Sequence, residues 1–478
     1  MAPKRKASEA SPRDSSSGVA VFQSAADSSE LPGTRDGRFK ELYAKAPDFK
    51  RLARCDADFA AVCLYRTKGR ELDFDDPASV VQLTKTLLKL DFGLAMELPE
   101  NRLCPPVPNR HNYILWLKGL LDTSSYAPPG RNLVGLDIGT GASCIYPLLG
   151  CVQRPWSFVA TDMDAESLRW ARRNVELNGL GHRIKVVDRG PEDALIPLDD
   201  LGLDSIAFTM TNPPFYESED ALLQSAKRKS RRPYTACTGS LSEMVVEGGE
   251  VAFVNRILDE SLVLRGRVQW YTSMLGFLSS VAALVDRLRD RGIQNYAITE
   301  FVQGNKTRRW AVAWSFGPMR PSEDVARGTK AASCKLNLLP AATEAEVAKF
   351  PMPDSIGTVA DKLSGAIAAL DLISWDWDSQ ALAGTGRAPD KVWARAWRRK
   401  KKREAETRTI ESQGPNPDLE PTCALGFHVR IHVALQHVSV KCRWLEGSDP
   451  VAFESFQGFL QAATRSAVSS TQSNPQPG

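Results

Sequence analysis

The sequence predicts an α/β protein built around a parallel β-sheet with helices on both faces. Three observations carry this prediction. Short apolar strands alternate with helical stretches across residues 126–317, the pattern of consecutive βαβ units. A glycine-rich turn, Gly139-Thr140-Gly141, follows the first of these strands, and a polar turn at Asn212 follows a later one. We expect a helical module before this domain and a small α+β domain after it.

Length and composition set the broad class. The chain has 478 residues, enough for two to four folded units at about 100–200 residues per domain. Hydrophobic residues make up 42% and charged residues 25%, which excludes a wholly disordered or collagen-like chain. No run of about 20 apolar residues is present, so we expect no membrane span. No apolar segment follows residues 1–6, so we expect no secretory signal.

Cysteine and histidine placement argues against a metal site. The nine cysteines include no C-x-x-C pair, which favours reduced thiols over a disulfide framework or a zinc site. His428 and His432 are four residues apart, but on a strand they share a polar face with Arg430 and lack further ligands. The net charge is only +4, yet the basic residues are unevenly placed.

The N-terminal part of the chain divides into a tail and a helical module. Residues 1–37 are rich in Ser, Ala, Pro and Gly and are expected to be a disordered tail. Within it, Lys4-Arg5-Lys6 is either a nuclear import signal or a solvated charged end. Residues 38–125 are predicted to be helical, with one helix beginning at Asp76-Pro77 and a second at residues 112–121.

The domain at 126–317 contains the predicted sheet. Parallel strands are expected at residues 133–138, 157–162, 184–187 and 205–210, and a helix at 165–177. Residues 295–301 and 310–316 are predicted to form an antiparallel pair that closes the sheet.

The C-terminal part is predicted to be a separate unit. Residues 318–348 are expected to be a linker, residues 349–465 an accessory α+β domain and residues 466–478 a disordered tail. Helices are expected at 358–373 and 449–463. Between them, residues 424–444 alternate as a strand does, and one face is formed by Phe427, Val429, Ile431, Val433 and Leu435.

The glycine turn has the context of a nucleoside-cofactor site, because it follows a strand and precedes a helix. Gly139 and Gly141 allow the backbone to approach a ligand, and Asp137 precedes them on the strand. Asp162 ends the next strand, where an acidic side chain accepts hydrogen bonds from ribose hydroxyls. Cys144 occupies the third glycine position of a dinucleotide loop, which favours S-adenosyl-L-methionine, a cofactor without a pyrophosphate. The alternative is an ordinary tight turn with a capping aspartate.

The turn Asn212-Pro213-Pro214-Phe215 ends the fourth strand, where open parallel sheets bind their ligands. The Asn212 side-chain carbonyl and the Pro213 backbone carbonyl can accept both hydrogens of an exocyclic amine. Phe215 can stack on the base, a contact worth about 1–3 kcal/mol. Catalysis would then rest on orientation and preorganised acceptors. The alternative is a Pro-Pro turn that only ends a strand. Together with the glycine loop, this turn predicts a Rossmann-like S-adenosylmethionine-dependent methyltransferase.

Several stretches of residues 38–317 resemble one enzyme family. They are GLDIGTGASCIYPLLG at 135–150, DFGL at 91–94, NPPF at 212–215, GGE at 248–250 and the segments 43–52, 107–116 and 310–316. They resemble the methyltransferase-like 16 family, adenosine N6-methyltransferases of U6 spliceosomal RNA that are related to bacterial enzymes acting on a ribosomal RNA adenine. The resemblance implies cofactor contacts for Arg110, Gly139, Asp162 and Asn212. The family often has Glu where this chain has Asp162, and the loop at 190–193 diverges.

Basic segments are candidate RNA surfaces. One loop, suited to phosphate contacts around an extruded base, contains Lys227, Arg228, Lys229, Arg231 and Arg232. The alternative for it is a solvated loop. The resemblance implies a second RNA surface on the helical module, with Lys50 and Arg51. Residues 398–403 are all basic and are a nuclear import signal, an RNA contact or both. By analogy with the family, the C-terminal domain is an accessory RNA-binding domain.

The leading hypothesis is a nuclear, monomeric RNA N6-adenosine methyltransferase that acts on U6 snRNA. Enzymatic alternatives are methylation of a ribosomal RNA adenine, a DNA adenine or a protein glutamine amide, and the basic segments argue against the last. A non-enzymatic alternative is an RNA-binding, splicing-associated protein with secondary catalysis. The presence of Asp137, Asp162 and the NPPF turn argues against that alternative.

Overall fold

The computed structural model describes residues 32–66, 69–220, 240–303, 307–328, 336–407 and 422–472. These residues form sheets of two, eight and five strands. No helix within the described ranges is long and apolar enough to span a membrane.

The described residues from 32 to 123 form a mainly helical module. Its elements are α1 (Pro32–Lys40), α2 (Phe49–Cys55), α3 (Ala57–Val62), β1 (Cys63–Arg66), β2 (Gly69–Leu72), α4 (Pro77–Leu87) and α5 (Val107–Thr123). Helix α4 begins where the sequence predicts, because the Asp76 carboxylate accepts a hydrogen bond from the Ser79 backbone N–H at 2.9 Å. A π-helical turn, Leu88–Phe92, continues it. The hairpin of β1 and β2 is not predicted from the sequence.

Helix α1 corrects the prediction that residues 1–37 form a disordered tail. Its Asp36 carboxylate pairs with the buried cations of Lys118 and Arg154, at 2.7 and 2.8 Å. The Phe39 ring is buried and stacks on Phe92 with centroids 5.5 Å apart. These partners are distant in sequence, so local composition cannot reveal them. Residues 1–31, including Lys4-Arg5-Lys6, lie outside the described residues.

The helical module shares its core with the main sheet. Tyr113 and Trp116 of α5 are buried in the same apolar cluster as Phe158 and Phe208 of the sheet. The module and the sheet are therefore packed as one body.

A neutral histidine is buried in this shared core. The Nε2 atom of His111 donates to the Phe39 carbonyl at 3.0 Å, and its Nδ1 accepts from Gln153 at 3.2 Å. Both ring nitrogens are therefore satisfied only in the neutral form. Burial lowers the pKa of His111 to about 4.

This lowered pKa predicts a stability loss in acid. Because the unfolded state binds the proton more tightly, the contribution of His111 is complete above pH 6.5 and falls by about 1.4 kcal/mol per pH unit down to pH 4. Chemical denaturation at pH 7 and pH 5 should show the wild type losing about 2 kcal/mol more than His111→Gln. Equal losses in the two proteins would contradict the prediction.

The main sheet and its helices occupy residues 133–328. In chain order the elements are β3 (Leu133–Ile138), α6 (Ile145–Gln153), β4 (Trp156–Asp162), α7 (Ala165–Leu177), β5 (Ile184–Asp188), β6 (Ile206–Thr211), α8 (Leu241–Met244), α9 (Gly249–Leu264), β7 (Val268–Leu275), α10 (Leu278–Asp290), β8 (Tyr296–Gln303), β9 (Thr307–Trp314), α11 (Glu323–Ala326) and β10 (Arg327–Gly328). The strand order is β10-β8-β9-β7-β6-β3-β4-β5.

Strand directions confirm the predicted sheet. Strands β5, β4, β3, β6 and β7 pair in parallel, and β8 and β9 form the predicted antiparallel pair. Strand β9 inserts between β7 and β8. The predicted parallel strands and the helix at 165–177 are confirmed to within one residue, and the bounds of the antiparallel pair to within three residues. Strand β7 and helices α9 and α10 were not predicted.

Helices cover both faces of the sheet. Helices α5, α6 and α7 contribute to one apolar cluster, and α9 and α10 contribute to the other. Strand β4 alternates between them, since Phe158 and Ala160 belong to the first cluster and Val159 to the second. The ring of Phe208 packs directly on Gly135, where a Cβ atom would lie 2.2 Å from it.

The predicted linker at 318–348 is wrong, because its described residues, 318–328 and 336–348, are packed. It contains α11 and β10, and β11 begins within it at Glu344. The Arg320 backbone N–H donates to the Leu445 carbonyl at 2.8 Å, and its guanidinium lies 4.2 Å from the Trp444 ring centroid. Tyr126 also donates to Glu446, at 3.1 Å. These contacts dock the C-terminal domain onto the sheet domain.

The C-terminal domain is an antiparallel sheet with helices. Its elements are β11 (Glu344–Pro351), α12 (Ile356–Ala368), β12 (Ser374–Asp378), β13 (Ala383–Ala388), α13 (Arg395–Thr407), β14 (Leu425–Val433), β15 (His437–Glu446) and α14 (Pro450–Gln472). The strand order is β11-β15-β14-β13-β12. The prediction of an α+β unit is confirmed.

Three details of the C-terminal prediction are wrong. The helix expected at 358–373 is α12, which already ends at Ala368. Phe427, Val429 and Ile431 are buried as expected, but Val433 and Leu435 are exposed because the strand ends there and turns into β15. The predicted tail at 466–478 begins as helix, since α14 continues to Gln472.

Candidate active site

The predicted site residues meet at the carboxyl ends of parallel strands. Gly139 follows β3, Asp162 ends β4 and Asn212 follows β6. Gly276, which was not predicted, follows β7 in the same way. Adjacent parallel strands place these positions along one edge of the sheet, as the sequence predicts.

The glycine loop has left-handed backbone geometry at three positions. The φ angles are 72° at Gly139, 63° at Gly141 and 49° at Cys144. The first two are glycines, for which this conformation is unstrained. Cys144 adopts it with a buried side chain, so the third bend forms without a glycine. No atom lies within 4 Å of the Cβ that Gly139 lacks, which leaves its backbone open to a ligand.

Asp162 holds this loop in place. Its Oδ2 atom accepts from the Gly141 backbone N–H at 2.8 Å, and its Oδ1 accepts from the N–H groups of Met163 and Asp164, at 2.8 and 3.0 Å. Burial raises the pKa of Asp162, and the three donors oppose that rise. The carboxylate is oriented by the backbone and retains a lone pair on Oδ2 for a ligand hydroxyl.

Asp137 is a fully buried carboxyl group beneath the loop. Its Oδ2 accepts from the Thr140 hydroxyl at 2.7 Å, whereas its Oδ1 has no hydrogen-bond partner among the described residues. Burial raises the pKa of Asp137 to about 7. A cationic ligand beside it would favour the charged carboxylate and lower this pKa.

Arg110 connects the glycine-loop side of the site with the NPPF turn. From α5, its Nη1 donates to the Asn212 Oδ1 at 3.1 Å and to the Tyr146 hydroxyl at 2.8 Å, and it lies 3.2 Å from the Met274 sulfur. It therefore joins the helix after the glycine loop, the NPPF turn and β7. Its guanidinium is nearly buried, so Asn212 is held in a defined orientation.

The NPPF turn packs against the end of β7. Pro213 is buried, and Phe215 is half-buried with the Arg309 guanidinium 5.0 Å from its ring centroid. Glu250 accepts from the Gly276 backbone N–H at 2.7 Å and from the Phe277 N–H at 3.2 Å. Burial raises the pKa of Glu250, and these donors oppose the rise.

Gly276 is the close contact that lets Phe215 take this position. A Cβ atom there would lie 2.9 Å from Phe215 Cδ1 and 3.2 Å from the Glu250 Oε2. Gly276→Ala should therefore displace the ring and reduce kcat roughly tenfold, which corresponds to a rise of about 1.4 kcal/mol in the activation free energy. Cofactor affinity, measured by calorimetry, should stay within about twofold of wild type. A wild-type kcat would show that the ring position is not critical.

The segment that precedes α9 also reaches the glycine loop. Glu243 Oε2 accepts from the backbone N–H groups of Leu103 and Ser240, at 3.0 and 2.9 Å. Its Oε1 is 3.6 Å from the position of a Cβ on Gly141. Glu243 therefore anchors two loops beside the glycine turn.

Sequence reasoning missed five residues of this site: Tyr146, Glu243, Glu250, Gly276 and Arg309. Tyr146 and Glu250 lie in the stretches 135–150 and 248–250, and their resemblance to the methyltransferase-like 16 family could have identified them. Glu243 and Arg309 belong to no recognised pattern and are placed only by the fold.

The predicted RNA-binding residues are placed only in part. Lys227, Arg228, Lys229, Arg231 and Arg232 lie outside the described residues. Lys50 and Arg51 are exposed on α2, and Arg51 also reaches the Asp91 carboxylate at 3.5 Å. No group of His, Cys, Asp or Glu side chains in the described ranges is arranged to hold a metal ion.

A family comparison decides the class of this protein. A model of a family described as RNA methyltransferase matches residues 36–318, nearly the range that the sequence motifs indicated. The chain belongs to this RNA methyltransferase family. The matched range contains every element of the site, from α5 to β9.

Individual relatives agree with this assignment. The methyltransferase is 36% identical over 398 residues to the U6 small nuclear RNA (adenine-(43)-N(6))-methyltransferase of Schizosaccharomyces pombe, covering 83% of this chain and 96% of that protein. It is 45% identical to the RNA N(6)-adenosine-methyltransferase mettl16 of Danio rerio, covering 58% of each. The hMettl16 catalytic domain in complex with MAT2A 3'UTR hairpin 1 is similar with a TM-score of 0.52 and 43% identity, over 57% of this chain and 92% of that one.

The cofactor of the methyltransferase is S-adenosylmethionine, and the site fits it. The unpartnered Oδ1 of Asp137 suits a cationic ligand, and the open backbone at Gly139 admits one closely. Asp162 offers an oriented carboxylate for ribose hydroxyls at the adjacent strand end. These two carboxylates and the open backbone at Gly139 thus match a positively charged nucleoside without phosphates.

Proposed function

We propose that this methyltransferase transfers a methyl group from S-adenosylmethionine to the N6 atom of an adenine in U6 snRNA. The observation that carries the proposal is the arrangement of Asn212, which Arg110 orients beside the glycine loop. The 96% coverage of the Schizosaccharomyces pombe relative supports the choice of U6 snRNA.

Catalysis would come from positioned acceptors. The Asn212 Oδ1 has two lone pairs, and Arg110 uses one of them, so the other can accept an N–H of the adenine amine. The Pro213 carbonyl accepts the second N–H. Together they hold N6 and draw its lone pair out of ring conjugation. The bound cofactor supplies an electrophilic methyl group on a sulfonium.

The base itself would be held by stacking. Arg309 lies on one face of Phe215, so the adenine stacks on the other face. Arg110, Asp137, Gly139, Gly141 and Asp162 hold the cofactor. This arrangement requires an unpaired adenine, because the amine must reach the bottom of the site.

We also propose where the enzyme contacts RNA and in which cellular compartment it acts. The loop with Lys227, Arg228, Lys229, Arg231 and Arg232 and the exposed pair Lys50 and Arg51 bind backbone phosphates. Helix α13 exposes the basic run at 398–403, which supports an accessory RNA contact and nuclear import. The enzyme acts as a monomer in the nucleus.

The test is transfer of a labelled methyl group from S-adenosylmethionine into total RNA, followed by size separation and nucleoside digestion. We expect N6-methyladenosine in a band of the size of U6 snRNA. Label confined to ribosomal RNA would favour the ribosomal alternative. Tight RNA binding without label would favour the binding-protein alternative.

A further inference from the structure

Arg309 is a half-buried cation beside the NPPF turn. It lies in β9 and pairs with Phe301 in the β8–β9 register. Its guanidinium carbon lies 5.0 Å from the Phe215 ring centroid. Burial lowers the pKa of Arg309, and the positive charge of Arg110 adds to that effect. The chain therefore holds a second cation next to the catalytic turn.

Within the described ranges, no carboxylate lies at ion-pair distance from Arg309. Glu250 acts on its charge from farther away, but the carboxylate of Glu250 already accepts from the N–H groups of Gly276 and Phe277. The Nη1 of Arg309 donates to the Arg308 backbone carbonyl at 3.0 Å, but this neutral acceptor does not balance the positive charge. An anionic partner would therefore stabilise the guanidinium further. The neighbouring Arg308 differs, since it is about half exposed and pairs with Glu300 at 2.8 Å.

The position of Arg309 beside Phe215 indicates which anion would pair with its guanidinium. A nucleotide whose base stacks on Phe215 brings its own sugar and phosphate past the edge of that ring. The planar guanidinium can donate two hydrogen bonds to a phosphate while its face remains on the aromatic ring. A peptide amide substrate would bring no such anion.

We propose that Arg309 binds the backbone phosphate of the target adenosine and so selects nucleic acid as the substrate of the NPPF site. The proposal rests on the proposed function, because it requires an adenine stacked on Phe215. It adds a phosphate-binding residue inside the pocket to the basic surfaces outside it.

The experiment measures the affinity of a U6-derived RNA hairpin for the full chain by fluorescence anisotropy across a salt series. Loss of one phosphate contact should reduce the slope of log affinity against log salt by about 0.7 to 0.9 in Arg309→Gln. Arg309→Lys should restore most of the slope, because it keeps the charge. Arg308→Gln is the matched control and should keep the wild-type slope, since it removes a neighbouring charge that is already paired.

Three results would overturn the proposal. The first is an unchanged slope in Arg309→Gln with a reduced kcat, because Arg309 would then only orient Phe215. The second is an equal slope change in Arg308→Gln, which would indicate a diffuse charge effect. The third is a wild-type enzyme that binds no RNA, which would remove the proposed function as well. Calorimetric binding of S-adenosylmethionine and an unchanged Tm establish that each variant is folded.

Discussion

Replacing Asn212 by alanine is expected to lower kcat for methyl transfer by about 10²- to 10³-fold, the effect of losing one preorganised polar contact to the reacting group. Arg110 presently holds the Asn212 oxygen in the site, and alanine leaves that cation without this acceptor. RNA affinity should stay near wild type, because Asn212 makes no phosphate contact in the proposed arrangement. Single-turnover kinetics with labelled S-adenosylmethionine measure the change directly.

Asn212→Asp is the matched control for this prediction. Aspartate keeps an acceptor oxygen at the position of the Asn212 Oδ1 and can still accept the Arg110 hydrogen bond. We expect it to retain far more activity than the alanine variant. If Asn212→Ala kept more than a tenth of the wild-type kcat, the acceptor role of this side chain would be refuted.

The second large effect is expected for cofactor affinity. Asp162→Ala should weaken binding of S-adenosylmethionine about 10- to 100-fold, since hydrogen bonds to a charged group contribute about 1.5–3 kcal/mol. The variant loses the ribose acceptor and also the carboxylate that positions the Gly141 backbone N–H. Isothermal titration calorimetry gives the Kd, and Tm reports on folding.

Asp162→Glu provides the comparison. It keeps the charge on a longer side chain, and the related family often has glutamate at this position, so its Kd should rise by no more than about fivefold. RNA affinity should be unaffected in both variants. A Kd within twofold of wild type for Asp162→Ala would exclude the ribose role.

Local sequence patterns predicted most of the sheet. Strands β3 and β4 and helix α7 have clear apolar periods, and their neighbours in sequence determine where they end. Strand β7 escaped prediction because its centre is polar. Thr272 is fully buried there, and its hydroxyl donates to the Thr209 carbonyl of the adjacent strand at 2.8 Å. From the sequence alone, a polar residue is expected to be exposed when its hydrogen-bond partner lies on a strand that is distant in the chain.

The site was predictable to the extent that it consists of motifs. Gly139 and Asn212 each follow a strand and Asp162 ends one, so strand order alone brings them to one edge. Arg110 was assigned by family resemblance, and its contact with Asn212 appears only in three dimensions. Arg309 follows no motif, because its role depends on which strand inserts between β7 and β8.

The packed segment at 318–328 fixes the position of the basic helix α13 relative to the sheet domain. Arg320 and Tyr126 tie the C-terminal domain to the sheet domain, so the spacing from α13 to Asn212 is set by the fold. An RNA long enough to contact both the site at Asn212 and α13 would bind α13 at a high effective concentration once its adenine is in the site. An RNA too short to reach α13 from the site would lack this increase in affinity. If α13 binds RNA as proposed, affinity would therefore depend on whether the RNA extends from the target adenine to α13.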